Sequence, residues 1–127
     1  MLFPALETCG VLVWCLDRTG HGRDILRRPC VYGLVAFGLD DYSAYIGSTK
    51  HLGRRLREHV WDARMALRGT LPSAVTSRML GDPIRAPGAL LAIALQTDGL
   101  EKLDARHDAE LIWMLAANQN GVRPVNK

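Results

Sequence analysis

Two apolar runs held apart by four turn-forming residues constrain this chain more than any other feature. Cys30 to Phe37 (CVYGLVAF) and Tyr42 to Gly47 (YSAYIG) are rich in β-branched and aromatic residues, and Gly38-Leu39-Asp40-Asp41 between them is turn chemistry. The pattern predicts a hairpin. A turn closing symmetrically about Gly38 and Leu39 sets Tyr32 directly opposite Tyr45, so that two phenols share one face. A bulge at Gly33 or Gly47 would shift that register.

Period-3.6 patterning takes over after the hairpin. Leu52, Leu56, Val60, Ala63 and Leu67 recur at three- and four-residue steps, which predicts a helix from Lys50 to near Gly69 with Arg55 and His59 one turn apart. Residues 70 to 87 read as a short helix about Val75 to Leu80 followed by a loop with Gly81, Pro83 and Pro87. Gly88 to Thr97 (GALLAIALQT) predicts a strand. A last helix is expected from about Leu100 to Ala117 on Leu103, Leu111, Met114 and Leu115, with a stop at Gly121. Before the hairpin, residues 1 to 9 show no period and are expected to be loosely held. Gly10 to Leu16 reads as a strand, and Asp17 to Pro29 as an exposed basic loop.

Length and composition bound what such elements can build. At 127 residues and 48% apolar content the chain suits one compact domain whose core needs neither disulfides nor structural metal. Cys9, Cys15 and Cys30 are odd in number, lack CxxC spacing and follow no secretory leader pattern, so an intracellular, reducing setting is expected. Gly10 to Leu16 and Ala89 to Leu95, the longest apolar stretches, fall short of the ~20 residues of a membrane-spanning helix, and no membrane partner is expected.

Charge is segregated along the chain. Residues 50 to 68 set Lys50, Arg54, Arg55, Arg57, Arg64 and Arg68 against Glu58 and Asp62, whereas Asp98, Glu101, Asp104, Asp108 and Glu110 outnumber Lys102 and Arg106 in residues 98 to 110. The formal net charge is +3, and 13 of the 16 cations are arginine, whose planar fork suits phosphate oxygens. An anionic polymer is a reasonable partner, although a solvated helix face explains a charge run equally simply. Arg18, Arg23, Arg27 and Arg28 could track a DNA backbone. Trp61 and Trp113 read as core or rim packing, with base stacking the minority reading.

One carboxylate stands out of pattern. Leu103, His107, Glu110 and Met114 fall on one helical stripe, which brings Glu110 to the face expected to pack on the sheet, where an ionised carboxylate needs compensation. By helical spacing alone, a salt bridge to Arg106 or Arg55 accounts for it as well as a metal ion does. His21, His51 and His107 read as isolated surface or core histidines.

Val31-Tyr32, Tyr45-Ile46-Gly47, then Arg55, His59, Glu110 and Asn126 form an ordered set that resembles the GIY-YIG nuclease superfamily over about Cys30 to Asn126. The second triplet is literal. The first stands as Cys30-Val31-Tyr32, with cysteine for glycine and valine for isoleucine. The resemblance implies an α/β (α+β) fold: a small, mainly antiparallel three-stranded sheet flanked by helices. An extra N-terminal strand would lie in an extension over residues 1–29, ahead of a nuclease-like domain over 30–127. It also implies a DNA endonuclease dependent on Mg²⁺ or Mn²⁺, with Tyr32, Tyr45, Arg55, His59, Glu110 and Asn126 as its catalytic residues and Glu110 as the metal ligand.

Within that implication, Tyr32 is the general base, His59 draws off its proton, Arg55 clamps the phosphate and Tyr45 orients phosphate or water. Tyr45 and His59 remain alternative bases. Arg23, Arg27, Arg28, Lys50, Arg54 and Arg57 are the expected contacts to double-stranded or branched DNA. No recognition domain is left over, so low specificity, a homodimer or a specificity partner follows. Two other classes compete: a nucleic-acid-binding module whose nuclease site has decayed, and a scaffold domain in which Tyr32, Tyr45 and Glu110 form a buried network.

Overall fold

The computed structural model describes residues 1–37, 42–67 and 89–124. It is a mixed α/β domain with five strands, β1 (Leu2–Thr8), β2 (Val11–Asp17), β3 (Cys30–Phe37), β4 (Tyr42–Thr49) and β5 (Ala89–Gln96). Among the described residues a short 3-10 helix covers Gly22–Arg27, and there are two α-helices, α1 (Leu52–Leu67) and α2 (Leu103–Gln119). The sheet order is β1-β2-β5-β3-β4. The expected three-stranded antiparallel unit is its β5-β3-β4 half, and the N-terminal residues add two strands, with β2 running parallel to β5. The turn at 38–41, the short helix at Val75 to Leu80 and the predicted helix end near Gly69 lie outside the described residues. Among the described residues no helix is long and apolar enough to cross a membrane.

Residues 1 to 9, expected to be loosely held, correct that expectation by forming β1. Their period is hidden by Pro4 and by a bulge between Pro4 and Leu6, both tolerated because β1 is an edge strand. Positive φ at Cys9 (53°) and Gly10 (76°) gives the two-residue turn that joins β1 to β2. The loop after β2 is also more ordered than expected: Asp17 accepts from Thr19 N and Gly22 N at 2.8 and 2.6 Å, and Ile25 of the 3-10 helix is fully buried.

The β3–β4 hairpin carries a second correction. Its register pairs Phe37 with Tyr42, Tyr32 with Gly47 and Leu34 with Tyr45, two positions away from the symmetric closure about Gly38 and Leu39. A slip of two preserves side-chain parity, so both tyrosines still face the same side, now as diagonal neighbours. The ladder to β4 is unbroken at Gly33 and Gly47, and the irregularity falls between Val31 and Tyr32 against β5.

Alternation divides the core between the two faces. Tyr32, Leu34 and Ala36 of β3 pack with Val13, Cys15, Ala92 and Ala94, under Ile25 and the α1 stripe Leu52, Leu56, Val60 and Ala63. Val31 and Ile46 face the other way, onto Leu100, Ala109 and Met114. α2 sits differently on the sheet from the orientation its apolar positions suggest. Met114 is buried as expected, but Leu103, Leu111 and Leu115 are exposed, His107 is exposed too, and Arg106 and Ala109 are buried instead. Arg106 makes this tolerable by donating to the carbonyls of Leu100 and Glu101, both at 3.1 Å. Past the helix, Gly121 takes a positive φ of 82° and Val122 N returns to Ala117 O at 2.9 Å, a glycine-terminated helix stop as expected.

Candidate active site

Tyr32 occupies the middle of the α1 face because its neighbours across the sheet are the two smallest available, Gly47 on β4 and Ala94 on β5. A β-carbon at Gly47 would lie 2.6 Å from Tyr45 Cε1 and 2.8 Å from the Tyr32 hydroxyl, closer than real contacts allow. The glycine of YIG therefore makes the space in which two phenols meet. The cysteine standing for the first glycine is buried, and the ladder from β3 to β4 runs unbroken through position 30.

His59 belongs to the same helical stripe as Leu52, Leu56, Val60 and Ala63, and so points into the core at the level of Tyr32. Its Nε2 lies 2.6 Å from the Tyr32 hydroxyl. Tyr32, Tyr45 and His59 form a three-ring cluster with centroids 6.2, 5.8 and 5.5 Å apart. Tyr32 is 0% and His59 1% exposed, whereas Tyr45 and Arg55 are half-buried and form the outer side of the cluster.

The electrostatics of this cluster follow from burial. Enclosure pushes the Tyr32 phenol up, assisted by the neighbouring Tyr45 and opposed by the Arg55 guanidinium. Tyr45 is pushed up for the same first reason and is likewise opposed by Arg55. Burial, and then the charge of Arg55, pushes His59 down to about 3. The imidazole is thus neutral across the physiological range, and in the tautomer with its proton on Nδ1 its Nε2 accepts from the phenol. Arg55 NH1 also donates to Glu58 Oε1 at 3.1 Å, which anchors the guanidinium beside the phenols.

Glu110 approaches from α2, on the other side of the sheet. It is half-buried, and Ser48 Oγ donates to its Oε1 at 3.1 Å. Neither anticipated salt bridge forms: among the described residues the ion pairs are Arg28–Asp24 and Arg55–Glu58. Strand alternation explains the partner, because Ser48 follows Gly47 and points to the opposite face. The Glu110 charge nevertheless raises both Tyr32 and Tyr45, so all three groups share one electrostatic environment at the β4 edge. One carboxylate and a hydroxyl, open on the solvent side, suit a hard cation that keeps most of its water. No group of three or more His, Cys, Asp or Glu able to cage a metal occurs among the described residues.

The structure thus brings Tyr32, Tyr45, Arg55 and His59 together on the α1 face and sets Glu110 against Ser48 on the opposite face, where its charge is felt by both phenols, while Asn126 lies outside the described residues. The expected DNA contacts divide. Lys50, Arg54, Arg57 and Arg27 are exposed. Arg23 stacks over Phe3 at 5.2 Å and donates to Pro4 O at 3.1 Å, and Arg28 bridges Asp24 at 2.8 Å, so these two are partly engaged within the fold. His51 accepts from Arg54 N at 3.1 Å at the start of α1, His21 pairs with Thr19 at 2.9 Å, and Trp113 donates to Gln96 at 2.9 Å, all structural uses. Ser48 was invisible to sequence reasoning, since its role depends on a carboxylate 62 residues away. No protein-family model, no curated protein and no solved structure matches this chain.

Proposed function

We propose that this chain is a metal-dependent endonuclease that hydrolyses DNA phosphodiester bonds. The observation that carries the reading is the 2.6 Å hydrogen bond between Tyr32 and a neutral His59, beside Arg55 and within the field of Glu110. A buried phenol holds its proton too tightly to act alone, so its use as a base requires an acceptor at the moment of reaction. His59 Nε2 would be that acceptor: as the attacking water yields a proton to Tyr32, the phenolic proton passes to the imidazole, a transfer that needs the negative charge of the bound phosphate to offset the burial and Arg55 charge that otherwise hold His59 neutral. Arg55 favours the phenolate in this exchange and offers its remaining donors to the phosphate. Tyr45, on the outer side of the cluster, orients phosphate or water. Glu110 would hold a Mg²⁺ or Mn²⁺ ion, which when bound supplies charge stabilisation to the phosphoryl oxygens and the departing 3′-oxygen.

The test is incubation of wild type and Glu110→Ala with plasmid and branched DNA in Mg²⁺ and in Mn²⁺, with DNA binding measured alongside. Cleavage by wild type alone, with binding retained in the variant, supports the proposal. Wild type that cuts neither substrate overturns it. The near-complete enclosure of Tyr32 and His59 favours a second reading, a structural phenol–imidazole pair in a scaffold domain, under which Tyr32→Phe lowers stability with no reaction to lose.

A further inference from the structure

Arg54, Arg57 and Trp61 recur at steps of three and four on α1, on a stripe turned away from the buried residues Leu52, Leu56 and Val60. Trp61 is 54% exposed, while Trp14 and Trp113 are half-buried. The indole borders a cavity of about 410 Å³ between α1 and the β1–β2 turn, whose far wall is Thr8 and Cys9. That wall is fixed in shape by the positive-φ pair Cys9 and Gly10. Glu58 and Asp62 also border the cavity, but Glu58 is taken by Arg55, and among the described residues Arg54 and Arg57 are in no ion pair. With Arg55 counted against Glu58, the rim is net positive.

An exposed indole lining the same cavity as two exposed arginines is complementary to a ligand that carries a π-face and an anion on one short frame. We propose that this groove holds an unpaired nucleotide of a DNA strand, its base stacked on Trp61 and its phosphates met by Arg54 and Arg57. The inference rests on the nuclease reading and deepens it by naming the substrate class, DNA with single-stranded character near the cut. It also gives the β1–β2 hairpin a function, since that hairpin builds one wall of the groove.

The experiment uses the full chain carrying Glu110→Ala, without added divalent ion, so that cleavage plays no part. A short oligothymidylate is titrated while tryptophan emission and the anisotropy of a labelled strand are followed. The strand should quench emission. Adding Trp61→Ala should abolish the quench and weaken binding by about 5- to 150-fold, the range for loss of one stacked base. Trp61→Phe should lose the quench yet restore most of the affinity, because any aromatic face stacks. Unchanged affinity in Trp61→Ala overturns the proposal, and so does an equal loss on a duplex of the same length. If wild type cuts no DNA while Trp61-dependent binding persists, the nuclease reading falls and the groove stands. Cleavage without Trp61-dependent binding removes the groove and leaves the nuclease reading in place.

Discussion

The two faces of the sheet are built to different standards. On the α1 face, four strands, the 3-10 helix and α1 enclose a continuous core in which Tyr32 and His59 are among the largest fully buried side chains. On the α2 face, the buried cluster is Val31, Ile46, Leu100, Ala109 and Met114. There an open cavity of about 460 Å³ separates Trp113, Ala116 and Ala117 from the strands, and Leu111, Ile112 and Leu115 face outward. The contrast assigns different duties to the two halves of the candidate site. Under the proposed function, the groups that would exchange a proton are held where packing over-determines their geometry, while the carboxylate that would meet a hydrated ion is only half-buried.

The sharpest way to break this comparison is to remove one group from each face. Glu110→Ala should reduce DNA cleavage to background while leaving thermal stability near wild type, because its partner Ser48 is only half-buried. Measurable cleavage by that variant would remove the carboxylate from the site. Tyr32→Phe should cost about 10²- to 10⁴-fold in single-turnover rate, the usual share of general-base catalysis. Unlike Glu110→Ala, it should also destabilise, by about 1–3 kcal/mol, since the buried His59 Nε2 loses its hydrogen-bond partner. A rate loss with no change in melting temperature would show the hydrogen bond to be weaker than its length implies.

The enclosure of His59 is testable through pH. Unfolded, the imidazole takes a proton near 6.5, but in the folded chain only near 3, so between those values the unfolded state binds more protons and stability falls as pH falls. The loss attributable to this group should reach about 2 kcal/mol by pH 5. Denaturant unfolding from pH 7 to pH 5 should show it, and His59→Gln should flatten the slope. An unchanged slope in that variant would mean the imidazole titrates normally.

The finest comparison uses one glycine from each face. Gly47→Ala places a methyl against both phenols and should destabilise by about 1–3 kcal/mol, with a slower reaction. At Gly33, on the α2 side, an added β-carbon meets only Tyr45 O at 3.8 Å and Ile93 Cβ at 4.0 Å, so Gly33→Ala should change the melting temperature little. Equal effects at the two positions would erase the distinction between a tight face and a loose one.

Much of this architecture is local and was legible as such. The β3–β4 hairpin, α1 with His59 on its buried stripe and the Gly121 stop each follow from patterns within one or two turns of chain. So does the parity that keeps Tyr32 and Tyr45 on one face, since it survives a two-residue slip in register. What the tertiary structure alone decided is long-range. β1 becomes a strand because β2 offers it an edge, and β2 joins the β5-β3-β4 unit because β5 accepts it in parallel. The rotation of α2 was undetermined because its apolar residues are spread around the helix, leaving the choice of face to the surface it packs on. The company Glu110 keeps was undetermined for the same reason: a helix specifies its neighbours at three and four residues, and only the fold supplies Ser48.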